Sequence, residues 1–186
     1  MIFREVDDTD LVRGARQGRV ESYNRLVSRW EKRVYNYLLR ITGSPDDAMD
    51  ASQEAFLKAY QSLPRLDDPA RFGPWLYRIA HNEAISLIRR RRPSEDLESA
   101  ERAAPRSLAG VELSLAVETA LARLSPDQRE AVVLKVYEGF KFDEIAAITG
   151  CPASTVKSRV YTGLGLLKEM LAPLTGAARP AQEAQS

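Results

Sequence analysis

Helical spacing of the apolar positions dominates this chain. Across residues 21–42 the apolar side chains Tyr23, Leu26, Val27, Trp30, Val34, Tyr37, Leu38 and Ile41 recur at steps of one, three or four. That spacing makes one continuous stripe on a helix. Gly43 closes it, and Ser44-Pro45-Asp46-Asp47 opens a third helix, after a short first one over about 7–17. Serine caps, proline suits the first turn and the acids sit at the positive helix end. The third helix is predicted to run to about Leu63. Pro64, Pro69, Gly73 and Pro74 then predict a loop over 64–73, and a fourth helix follows from about Pro74 until Pro93 stops it.

A second helical block begins near Glu112. Ala116, Val117, Ala120, Leu121 and Leu124 line its first helix, and Ser125-Pro126-Asp127-Gln128 reads as a capping box with proline at the first position. The next helix carries Val132, Val133, Val136 and Tyr137 and ends at Gly139, and two more are predicted over 142–149 and 152–171. No stretch alternates like a strand. The expectation is an all-α chain with one domain over 1–93, a flexible linker over 94–111, a second domain over 112–172 and a disordered tail over 173–186.

Composition narrows the function classes. The chain has 186 residues, 44% of them hydrophobic and 28% charged, which suits a globular protein with a real core. One cysteine excludes a disulfide framework, and one histidine beside it argues against a zinc site. The start is too charged for a secretory signal, and no apolar run approaches the roughly 18 residues of a membrane span, so a cytoplasmic location without membrane insertion is expected. The net charge of +1 is unevenly spread: residues 1–93 carry +4, residues 94–113 carry −3, and the remainder is neutral. Four consecutive arginines at 89–92 concentrate the basic excess, which suggests local contact with a polyanion.

The strongest local signal lies at 142–159. Ala146 is small enough for two helices to cross closely, Gly150 suits the turn, and Val156 packs the second helix back on the first. Ser154, Thr155, Lys157, Ser158 and Arg159 then project from the first turns of the second helix, where side chains reach bases and phosphates in a major groove. A plain helical hairpin is the blander alternative. On the third helix Asp46, Asp50, Gln53 and Glu54 share one face, opposite Ala48, Ala51, Ala55 and Phe56. Such a face suits a basic partner helix or is a solvated helix start; as a catalytic carboxylate pair it lacks companions. Phe72, Trp75 and Tyr77 beside Arg65, Arg71 and Arg78 suit unstacked bases, although Trp75, Leu76 and Ile79 read better as core anchors. His81 reads as a surface or DNA-facing residue, and Cys151 as a half-buried filler.

Taken in order, these pieces resemble a bacterial extracytoplasmic-function (ECF) sigma factor of the sigma-70 family. The resemblance covers about 7–171. It rests on Asp10-Leu11-Val12, on the run from Asp46 to Phe56, on Trp75-Leu76-Tyr77-Arg78-Ile79-Ala80-His81-Asn82, on Leu124-Ser125-Pro126-Asp127-Gln128-Arg129-Glu130 and on Thr155-Val156-Lys157-Ser158-Arg159. It implies that the first block is region 2, which binds the β′ clamp helices of core RNA polymerase through Asp46, Asp47, Asp50, Gln53 and Glu54. Region 2 also opens the −10 element, here through Arg65, Asp68, Ala70, Phe72, Arg78, Asn82, Arg89 and Arg90. The second block is then region 4, which binds the β flap and reads the −35 element through Ser154, Thr155, Lys157, Ser158, Arg159 and Thr162. The resemblance further implies promoter DNA and an anti-sigma factor as partners, no cofactor and no metal.

The chain departs from the family where arginines are usual: it has Thr162, Gly163, Leu164 and Gly165. Each glycine costs a helix about 1 kcal/mol relative to alanine. The expected seam runs through Val156, Val160, Leu164, Leu167 and Leu171, and weaker −35 binding is expected. The reading is a non-catalytic specificity subunit of RNA polymerase. A sigma-like decoy or adaptor that binds an anti-sigma factor is the runner-up. A lone helix-turn-helix repressor leaves the first block unexplained, and an enzyme lacks any phosphate loop or nucleophile–base set.

Overall fold

Side-chain caps from Asp7, Ser44 and Ser125 set the start of three of the helices. In the computed structural model, which describes residues 6–91 and 108–176, Asp7 caps α1 (Asp8–Arg16) and Ser44 caps α3 (Pro45–Ser62), with Asp47 N–H donating to Ser44 Oγ at 3.3 Å. Between them α2 (Val20–Thr42) follows the stripe read from the sequence: Tyr23, Leu26, Trp30, Val34, Tyr37 and Leu38 are all buried. The expected loop contains two single 3₁₀ turns, Leu63–Arg65 and Pro69–Arg71, and α4 (Phe72–Arg91) starts two residues early. Ala48, Ala51, Ala55 and Ala59 are buried along α3, so small side chains let α3 lie close to α2 and α4. Trp30 ties α1 to α4: its Nε1–H donates to Asp8 Oδ2 at 2.9 Å, and its ring lies where a β-carbon at Gly73 would sit 2.7 Å away.

The second unit contains α5 (Leu108–Arg123), α6 (Pro126–Val132), α7 (Phe142–Thr149) and α8 (Ala153–Gly176). The capping box at Ser125 forms as expected. α5 begins at Leu108, inside the stretch expected as linker, and α8 continues through Pro173 into the stretch expected as tail. Residues 92–107 and 177–186 lie outside the described residues. The two helical units are as the sequence implied, but a continuous turn of packing joins them. Ala131, Val133, Leu134, Phe140, Ile145, Ile148, Val156 and Val160 belong to the same core as Leu26, Tyr37 and Tyr77, while Ala120, Leu121, Leu124, Val132 and Leu167 form a second, smaller one.

Two apolar stripes are shifted from expectation. After Val132, α6 widens into a π turn over Val133–Tyr137, where Glu138 N–H reaches back five residues to Val133 O at 3.2 Å. Val132 and Val133 are buried as expected, but beyond them the extra residue rotates the chain, so Leu134 is buried and Val136 and Tyr137 are exposed. On α8 the packed line is Val156, Val160, Gly163 and Leu167; Leu164 faces out. A β-carbon at Gly163 would stand 2.8 Å from Val132 Cγ2, so this glycine is what allows α8 to approach α6. At Gly165 a β-carbon meets nothing within 4 Å.

Candidate nucleic-acid and protein interfaces

The outer face of α3 follows from its packing. With the alanines turned inward, Asp46, Asp50, Gln53 and Glu54 are exposed together. Asp47 is a correction to the sequence reading: one residue on from Asp46, it turns toward the buried side with Ala48 and Ala51 and offers little to a partner. Glu54 pairs with Lys58 at 3.5 Å, and Lys58 also reaches Glu83 at 2.8 Å. The hydrogen bond to Glu83 raises the Lys58 pKa. Sequence reasoning missed Met49, Leu57 and Tyr60, large apolar side chains exposed on the same helix. Their steps of eight and three from 49 carried the signal. A face that joins carboxylates to exposed apolar groups has the chemistry to suit a protein partner.

On α4, Arg78, Asn82 and Arg89 recur at steps of four and seven and are exposed with Arg90. Arg65, Asp68 and Ala70 are exposed in the preceding turns, and the acidic character there has a local cause: Asp68 Oδ1 accepts from Ala70 N–H at 2.9 Å and caps the 3₁₀ turn. Phe72 is a correction. It is 1% exposed, wedged between Trp30 and Trp75 at ring distances of 6.2 and 5.9 Å, so it supports the loop and cannot stack on a base as placed. Tyr77 is likewise fully buried.

The helix-turn-helix has the expected form. Gly150, at φ 70°, donates its N–H to Ala146 O at 2.9 Å and turns the chain into α8. Ser154, Lys157, Ser158 and Thr162 are exposed on α8 and Thr155 is half-buried. Arg159 is half-buried, and its guanidinium pairs with the exposed Asp127 and lies 3.3 Å from Cys151 Sγ, which braces the turn against the start of α6. The sequence reading missed a neighbouring patch. Tyr161 is 65% exposed and its ring centroid is 6.3 Å from that of Phe142, with Lys135 and Lys157 ammonium groups 4.8 and 5.7 Å from the Phe142 ring. Tyr161 follows Lys157 by one helical turn, which was the available clue.

Between the units lies a polar seam. Glu130 accepts from Tyr37 OH at 2.5 Å and lies 2.6 Å from His81 Nδ1. Glu138 accepts from Tyr77 OH at 2.6 Å and from Arg33 Nε at 3.1 Å. Arg40 reaches Glu118 at 3.1 Å and lies over the Tyr137 ring at 4.2 Å. His81 is therefore an interface residue, not a surface or DNA-facing one; its carboxylate partner is 49 positions away and had no local signal. Burial, reinforced by the facing carboxylates, raises the Tyr37 and Tyr77 pKa values well above that of a free phenol. Among the described residues no group of three or more His, Cys, Asp or Glu is arranged to hold a metal, and no helix is long and apolar enough to cross a membrane.

Comparison with known proteins gives two family matches, Sigma-70 region 2 over residues 26–94 and Sigma-70 region 4 over residues 114–167. The chain is 30% identical to an RNA polymerase sigma-H factor of Pseudomonas aeruginosa, with 93% of this chain and 98% of that protein covered. It is 32% identical to the ECF RNA polymerase sigma-E factor of Escherichia coli K12, covering 91% and 97%. Among solved structures it resembles the sigma factor RpoE in complex with the anti-sigma factor NepR from Bartonella quintana, with a TM-score of 0.72, 28% identity and coverage of 82% and 98%. It also resembles CnrH in complex with the cytosolic domain of CnrY, with a TM-score of 0.66, 26% identity and coverage of 92% and 99%.

Proposed function

The chain belongs to the sigma-70 family of RNA polymerase sigma factors, in the ECF group, and from that premise we propose that it binds core RNA polymerase and directs initiation at its own promoters. The observation that carries this reading is one helix, α3, whose exposed face joins Asp46, Asp50, Gln53 and Glu54 to Met49, Leu57 and Tyr60. That combination suits a basic, partly apolar helix such as the β′ clamp helices. The exposed Arg65, Asp68, Ala70, Arg78, Asn82, Arg89 and Arg90 meet the opened −10 strand, the arginines holding phosphates. Ser154, Thr155, Lys157, Ser158 and Thr162 face the −35 element, with Arg159 holding the reading helix in place and the second unit seated on the β flap. Phosphodiester chemistry belongs to the core enzyme, so this chain is a non-catalytic subunit. Two structural relatives were solved with an anti-sigma factor or a cytosolic partner domain, which supports an anti-sigma partner here.

Reconstitution with bacterial core polymerase tests the reading. The purified chain co-migrates with core enzyme and supports promoter-dependent transcription from selected DNA, and Asp50→Arg abolishes both. A chain that binds an anti-sigma factor but never core polymerase is instead a decoy.

A further inference from the structure

α1 contributes no side chain to any surface proposed for polymerase or DNA, yet it meets the 63–73 loop at its entrance, middle and exit. At the entrance, Arg16 Nε–H donates to Leu63 O at 3.2 Å. The same carbonyl accepts from Leu66 N–H at 3.2 Å, so the turn out of α3 is pinned both from α1 and from within. In the middle, α1 packs against the Pro69–Arg71 turn. At the exit, Asp8 Oδ2 accepts from Trp30 Nε1–H, and the Trp30 indole lies against Gly73 and Phe72. Asp8 and Arg16 stand about 12 Å apart along α1, at 1.5 Å per residue. The helix between them is firmly seated: Leu11, Val12 and Gly14 are buried, and a β-carbon at Gly14 would stand 2.5 Å from Ser22 Oγ on α2.

We propose that α1 is a splint for this loop, and that Arg16 and Asp8 are positioning residues for binding of the opened −10 strand. They fix the two ends of the loop, so that Arg65, Asp68 and Ala70 between them meet the strand already ordered. This rests on the sigma-factor reading. Ordering loop backbone costs free energy whenever it happens. A loop ordered before the strand arrives does not take that cost out of the affinity. Arg16 works through its Nε–H and not through its charge. Its side chain is exposed while Leu63 is buried, and among the described residues the bond to Leu63 O is the one hydrogen bond Arg16 makes. That distinction can be tested by substitution. Glutamine carries its amide nitrogen as many bonds from the backbone as arginine carries Nε, so Arg16→Gln keeps a donor and removes the charge. Methionine is as long and has no donor.

The test compares Arg16→Met, Arg16→Gln and Asp8→Ala in the full chain, with two readouts. Hydrogen exchange on the free chain follows the Leu66 and Arg71 amides, which bond within the loop to Leu63 O and Asp68 O. Fluorescence anisotropy follows a labelled single strand, taken from a promoter selected with the holoenzyme, on the chain assembled with core polymerase. Arg16→Met exchanges about fivefold faster at Leu66 and binds the strand about fivefold more weakly, the equilibrium cost of one hydrogen bond. Asp8→Ala moves both readouts in the same direction. Arg16→Gln restores both, at an unchanged salt slope. Circular dichroism confirms that each variant remains helical. Unchanged exchange in Arg16→Met overturns the splint, and faster exchange with unchanged strand binding overturns the positioning role. If Arg16→Gln binds as weakly as Arg16→Met, with a salt slope shallower by about 0.7, Arg16 touches a phosphate directly and the positioning role is overturned. An unsubstituted chain that binds no strand with core polymerase removes the sigma-factor reading instead, while faster exchange in Arg16→Met but not in Arg16→Gln still upholds the splint.

Discussion

Two glycines two positions apart on α8 should respond to alanine with opposite signs. In a helix interior, replacing glycine with alanine gains about 1 kcal/mol from backbone entropy alone. At Gly165 nothing lies within 4 Å of the added carbon, so the full gain is expected. At Gly163 the added methyl stands 2.8 Å from Val132 Cγ2, on a short, branched and buried side chain with no free end to swing away. Overpacking of that kind costs about 1–3 kcal/mol, so the net effect of Gly163→Ala is a loss of up to about 2 kcal/mol. The two variants are therefore expected to differ by about 1–3 kcal/mol. For a chain of this size that separates their melting temperatures by about 2–12 °C. Urea denaturation followed by circular dichroism, with thermal melts alongside, measures both. If Gly163→Ala stabilises the protein as much as Gly165→Ala, the close approach of α6 and α8 is wrong as described.

Other consequences follow from the same geometry. Burial raises the Tyr23, Tyr37 and Tyr77 pKa values, so the unfolded chain loses these protons near pH 10 while the folded chain keeps them. Stability is fully present below about pH 10 and falls above it by about 1.4 kcal/mol per pH unit for each such tyrosine; denaturant midpoints between pH 8 and 11.5 should fall, less steeply in Tyr37→Phe. Thr162→Arg adds a phosphate contact at an exposed site, so the full-length chain should bind −35 DNA more tightly with a salt slope steeper by about one; no gain in an electrophoretic shift assay refutes that placement. Lys157→Ala should weaken DNA binding at unchanged melting temperature, whereas Arg159→Ala should lower the melting temperature by breaking its contacts with Asp127 and Cys151. Asp8→Ala leaves the Trp30 indole N–H without its partner and should cost about 1 kcal/mol in equilibrium unfolding.

Local chemistry wrote much of this protein into its sequence. The Ser44 and Ser125 caps, the 21–42 stripe, the Gly150 turn and the outward Asp46–Asp50 spacing depend on residues within about one helical turn of each other, and all appear where periodicity and capping put them. Tertiary contact decided the rest. The Tyr37–Glu130 bond joins residues 93 apart, and its pairing with His81 has no periodicity to reveal it. A one-residue expansion after Val132 cannot be read from an apolar pattern that assumes 3.6 residues per turn, and it exposed Val136 and Tyr137 while burying Leu134. Gly163 looked like a weak point in a helix until Val132 was placed beside it. Asp46 and Asp47 are chemically alike, and one helical step of about 100° puts the first on the exposed face and the second on the side that packing buries. Sequence spacing determined the helices and the sides they present; which sides meet depended on contacts between residues far apart in the chain.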